Sequence, residues 1–199
     1  MKRTLAAVVA VVAAAAALAS WWPAEACVGK TIFLGRLPGR EQEVLAEMFV
    51  WMVSERTGTT IQTKSFPDSR ATHAALQTAD IDLYLEDQGV ALREILGLPA
   101  GAGGFGVRDT VRREYEQRYN LVWLEPWGMT GHPAGTAAPA LVAPVIRKDT
   151  LKKFPALSRL VNKLSGAVDD PTLARLVQES EKRPARDVVK QFLKEKRLI

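Results

Sequence analysis

Between Lys30 and Leu92 the chain switches repeatedly between a strand period and a helix period, and this switching restricts its fold more than any other feature. Lys30 to Leu34 is short, apolar and β-prone, and the turn Gly35 to Gly39, with Pro38, ends it. Val44, Leu45, Met48, Phe49 and Met52 then recur at spacings of one, three and four, which lays one apolar stripe along a helix that Gly58 stops. Thr59 to Thr63 reads as the second strand. A whole helix lies between the two strands, so they are expected to run parallel through a right-handed crossover.

The alternation continues. Ser69 is expected to cap a short helix through Ala79, in which Ala71, Ala74 and Ala75 are small enough to lie close against a sheet. Ile81 to Leu85 is the third expected strand and Gln88 to Leu96 the helix after it. Residues 97–106 hold five glycines and a proline and read as a loop. Arg108 to Tyr119 is a charged helix, and Leu121 to Leu124 a fourth strand. Trp127 to Ala140 has no periodicity and reads as a connector, after which Leu141 to Ile146 restores a β pattern. Three helices complete the chain. The first carries Leu157, Leu160, Val161 and Leu164 on one face, and the second has Asp170 as cap with Pro171 at its first helical position. The last begins near Pro184 and buries Val188, Val189, Phe192 and Leu193. The expected class is α/β: a mostly parallel sheet flanked by helices, with a carboxyl-terminal helical section.

Residues 1–26 read as a secretory signal, with Lys2 and Arg3 at the positive end, an uncharged Ala- and Val-rich run, and Ala24-Glu25-Ala26 as the cleavage site. A membrane anchor is the competing reading, but the apolar run is shorter than the roughly 20 residues that span a bilayer. Cleavage leaves 173 residues, one domain of ordinary size, working outside the cytoplasm. Cys27 is the only cysteine, which excludes an intrachain disulfide. It follows Ala26 directly, so lipid attachment is an alternative to a free thiol, although Glu25 suits a lipoprotein signal poorly.

Net charge is +5, with basic residues concentrated in Arg108 to Arg118 and Lys182 to Arg197. Both stretches also carry acidic residues, which favours solvated helix faces over a nucleic-acid surface. His73 and His132 are the only histidines and lie apart, without the neighbouring ligands of a zinc site; a solvated His73 and a loop His132 are expected. No GxSxG or cysteine signature is present, so neither catalysis nor a cofactor is expected.

Four ordered motifs carry a resemblance. Gly35 to Met48 reads GRLPGREQEVLAEM, Ala79 to Leu92 reads ADIDLYLEDQGVAL, Asn120 to Gly128 reads NLVWLEPWG, and PVIRKDTLKKFPAL is followed by NKLSGAVDD. These are similar to GSKNFTEQxxLGEM, GEIDLYPEYTGTAL, GLVWLDPLG and the carboxyl-terminal section of the substrate-binding proteins of glycine betaine, choline and carnitine ABC transporters. The resemblance implies one lobe of a type II periplasmic binding protein, a small quaternary ammonium solute and a membrane permease as partners, and no enzymatic activity. In that family the chain crosses into a second lobe after WLDP. Here only residues 126–140 occupy that place, and a lobe needs on the order of 100 residues. Residues 27–199 are therefore expected to form a single lobe.

In an open parallel sheet the ligand crevice lies beyond the carboxyl ends of the strands. Those ends carry Arg36, then Asp68 and Ser69, then Asp87 and Gln88. Gln42 matches the Gln of the TEQ motif, which the resemblance implicates in ligand contact. The EYTGT motif reads Glu86-Asp87-Gln88-Gly89-Val90, without the aromatic and both threonines. Trp127 is the candidate for an aromatic face; the alternative is that it packs against the connector. Two functions follow: capture of a quaternary ammonium osmoprotectant, or a ligand-incompetent single-lobe module that self-associates or pairs with a separate second-lobe protein.

Overall fold

The computed structural model describes residues 30–99, 106–132 and 139–199. The expected signal at residues 1–26, Cys27 and the middles of the glycine-rich segment and the expected connector lie outside them. Five strands form one sheet: β1 (Thr31–Arg36), β2 (Thr60–Ser65), β3 (Leu83–Asp87), β4 (Leu121–Trp123) and β5 (Val142–Arg147), in the order β2-β1-β3-β5-β4. β1 pairs in parallel with β2 and β3, and β5 runs antiparallel to both β3 and β4, so four strands share one direction.

The expected β1 to β2 crossover is helix α1 (Arg40–Thr57), which buries Val44, Leu45, Met48, Phe49 and Met52. Gly58 ends it in the left-handed conformation (φ 66°), with its N–H donating to Ser54 O at 2.9 Å. Helix α2 (Ser69–Gln77) follows β2, but its cap is Asp68, whose carboxylate accepts from Ala71 N–H at 2.8 Å. After β3 a helical turn α3 (Gln88–Val90) widens into a π turn (Ala91–Ile95), closed by Leu96 N–H donating to Ala91 O at 3.0 Å. Helix α4 (Val107–Tyr119) then leads into β4.

The carboxyl-terminal section holds α5 (Lys148–Lys153), α6 (Leu157–Val161) with a 3₁₀ turn (Asn162–Leu164), α7 (Asp170–Ser180) and α8 (Ala185–Glu195). The cap of α7 is Asp169, not Asp170, accepting from Thr172 N–H at 2.9 Å; Asp170 instead accepts from Thr130 N–H and holds the connector. One apolar core joins α1, α6, α7 and α8 to one face of the sheet through Ile32, Leu34, Leu83 and Ile146. The other packs Ala75, Leu92, Val111 and Tyr115 against Tyr84, Trp123 and Val145 on the opposite face. Helices thus cover both faces, which is why the inner strands β1, β3 and β5 bury residues on both sides, while the edge strand β2 is polar and mostly exposed.

Candidate functional site

β1, β2 and β3 deliver their carboxyl ends to one edge, and a cavity of about 430 Å³ opens there. Small-molecule sites occupy roughly 300 to 1,000 Å³. Leu85, Glu86 and Asp87 of β3 form its floor, Glu41 and Gln42 at the start of α1 one wall, and Gly131 and His132 of the connector another.

Asp87 fastens the connector to the sheet. Its Oδ1 accepts from Gly89 N–H at 2.7 Å and Val90 N–H at 3.2 Å, capping α3; its Oδ2 accepts from His132 N–H at 2.7 Å and lies 2.6 Å from His132 Nδ1. Only glycine fits around this joint. A Cβ on Gly89 would meet His132 O at 2.1 Å, and one on Gly131 would meet the Asp87 carboxylate at 2.7 Å. Replacement of Asp87 by Ala leaves these donors without an acceptor and is expected to cost about 1–3 kcal/mol in chemical denaturation. A variant of unchanged stability that loses solute binding would instead make Asp87 a solute contact.

Glu86 was not among the expected site residues. Strand alternation places it on the same face as Tyr84, where it is 2% exposed. Its Oε1 accepts from Ser69 Oγ at 3.2 Å and Asp87 N–H at 2.9 Å, and its Oε2 accepts from Tyr84 Oη at 2.8 Å. No ion pair reaches it among the described residues. Burial pushes its carboxyl up to about 7 despite these hydrogen bonds. Behind it, Tyr84 Oη lies 3.4 Å from Nδ1 of His73. His73 is 5% exposed rather than solvated, with its ring edge-on to Tyr115 and Tyr119. Burial lowers its pKa to about 4, so the ring is neutral.

Of the seven expected positions, Gln42, Ser69 and Asp87 line the cavity and the other four do not. Arg36 stands at the end of β1, sharing a small side crevice with Gln42. Asp68 is spent on capping α2. Gln88 is 1% exposed and its Oε1 accepts from Leu141 N–H at 3.1 Å, which ties α3 to β5. Trp127 is fully buried, stacked 6.3 Å from Phe49 of α1, so it offers no face to the cavity. It packs against the main core rather than the connector. Among the described residues no cluster of potential metal ligands occurs.

A half-covered cavity at the carboxyl edge of a doubly covered, mostly parallel sheet defines the architecture of a solute-binding lobe. The family profile described as "Substrate binding domain of ABC-type glycine betaine transport system" matches residues 30–137 and 116–195, and the chain belongs to that family. No curated protein sequence matches. Among solved structures, a glycine betaine/carnitine/choline ABC transporter protein is similar over 85% of this chain and 98% of its own, with TM-score 0.74 and 12% identity. Apo YehZ from Escherichia coli covers 85% and 99%, with TM-score 0.70 and 13% identity. Lactococcal OpuAC, closed on glycine betaine, covers 84% and 96%, with TM-score 0.57 and 7% identity. At these identities the likeness is one of fold.

Proposed function

We propose that this protein captures a small organic ammonium solute outside the cytoplasm and delivers it to the permease of an ABC importer. The observation that carries this reading is the family match over both halves of the chain, combined with a solute-sized cavity at the sheet edge where such folds bind ligands. Quaternary ammonium osmoprotectants such as glycine betaine, choline and carnitine are the class to test first. Arg36, Gln42, Asp68, Ser69, Asp87, Gln88 and Trp127 then divide into three that line the site and four that build its surroundings. The signal expected at residues 1–26 fits an extracytoplasmic role.

Calorimetric titration of the purified protein with choline, glycine betaine, carnitine and their less methylated parent amines tests the reading. Saturable binding of at least one at millimolar concentration is the expected result. No heat and no thermal shift with any of them would reject capture.

A second reading, an interaction module, is favoured by one observation. The described residues bordering the cavity belong to one sheet and its connector, and residues 126–140 stand where the family is expected to cross into a second lobe. Light scattering separates the two, since an interaction module elutes as an oligomer or with a co-purifying partner that completes the cavity.

A further inference from the structure

We propose that the cavity selects small cations that retain at least one N–H donor over fully methylated ones, and that the Glu86 carboxylate makes the distinction. This rests on the solute-capture reading above.

The first observation is the state of Glu86. An ionised carboxylate offers about four acceptor positions. Ser69 Oγ and Asp87 N–H fill those of Oε1, and Tyr84 Oη fills one on Oε2. One position on Oε2 is left, on a residue that lines the cavity and has no cationic partner among the described residues. A buried carboxylate is costly unless it is paired. A ligand N–H completes this one by a charge-assisted hydrogen bond, which is short and about twice as strong as a neutral one.

The second observation is what the cavity does not contain. A quaternary ammonium donates no hydrogen bond and is held by aromatic faces. Among the described residues no Phe, Tyr or Trp lines the cavity. Residues 133–138, PAGTAA, bring none by composition, and Trp127 is turned into the core. The nearest phenol, Tyr84, lies fully buried beneath Glu86 and uses its hydroxyl there. The other polar lining residues, Glu41, Gln42, Ser69, Asp87, Thr130 and His132, offer hydrogen-bonding groups suited to an amino alcohol rather than a methylated face. A trimethylammonium head would also hold its positive charge away from Oε2 by the thickness of its methyl groups.

The series ethanolamine, N-methylethanolamine, N,N-dimethylethanolamine and choline varies N–H count while holding charge and hydroxyl constant. Titrated calorimetrically into the purified protein at pH 8, affinity is expected to fall by roughly tenfold or more at the last step, where the final N–H is lost. Glu86→Gln is expected to abolish that step, leaving the dimethyl compound and choline alike. Choline binding as tightly as the dimethyl compound, or tighter, would overturn this inference and leave solute capture standing. Silence across the series would overturn this inference, and silence with glycine betaine and carnitine as well would overturn both. The unmodified protein carries the comparison by itself, so the outcome does not depend on the variant folding.

Discussion

Replacing Trp127 by Ala is expected to remove about 3–5 kcal/mol of folding stability. The indole is fully buried and stacked on Phe49 at an interplanar angle of 21°. Its backbone also joins two regions, donating to Val142 O at 3.3 Å and accepting from Val168 N–H at 3.2 Å. Truncation therefore opens a cavity at the point where β5, α1 and the carboxyl-terminal helices meet. Urea denaturation should show a lower midpoint at unchanged slope. Trp127→Phe should cost less, since Nε1 of Trp127 has no hydrogen-bond partner among the described residues and nothing polar is lost with it. Unchanged stability with abolished solute binding would place the ring at the crevice instead and contradict the packing described above.

The second large effect concerns pH. Glu86 titrates near 7 when folded against 4.5 in the unfolded chain, so between these values the folded state holds the extra proton and stability falls as pH rises. His73 does the opposite. Its pKa drops from 6.5 to about 4 on folding, so stability rises with pH across that interval. The two slopes oppose each other in the shared window, so these two contributions nearly cancel in the parent. Glu86→Gln removes one slope: stability of the variant is expected to climb by roughly 3 kcal/mol from pH 4 to 6.5, at about 1.36 kcal/mol per pKa unit. His73→Phe exposes the other, with a decline of similar size from pH 4.5 to 7. Every other titration is common to parent and variants and cancels in the comparison. Denaturation curves at half-unit intervals decide it; a Glu86→Gln profile parallel to the parent would refute the buried carboxylate. By pH 7 and above, ionisation of the buried carboxyl has cost the parent stability that the variant does not lose. A group that weakens the fold in this way is intelligible if a ligand cation relieves it.

Much of the fold was legible because its signals were periodic. The α1 stripe and the buried set Val188, Val189, Phe192 and Leu193 each follow from spacing alone, whereas α2 buries Thr72, His73, Ala75 and Leu76 and leaves Ala74 exposed, contrary to the expected alanine face. Caps were misplaced by one residue where two capable residues adjoin. Asp68 precedes Ser69 and Asp169 precedes Asp170, and the choice fell to the residue with extended backbone, Asp68 at φ −156° and Asp169 at φ −84°, ψ 171°. The direction of β5 has no local signal, because it depends on where the chain re-enters the sheet. At the site, sequence position located the correct edge but not which side chains reach it. Asp68 and Gln88 satisfy backbone groups before any ligand can use them. Glu86 did leave a trace: it falls in phase with Tyr84 on the buried face of a strand, where a charge is out of place.

The two ends of the connector touch. Thr130 and Leu141 form an antiparallel bridge, Gly131 N–H donates to Ala140 O at 2.8 Å, and Asp87 grips His132 beside them. The lobe thereby closes its own seam before the chain ventures beyond it. Once such a seam is made, lengthening the excursion is cheap, about 0.6 kcal/mol for each doubling of a flexible loop. The length of the excursion is thereby decoupled from the sheet behind it, whose register is held by contacts on the near side of the seam.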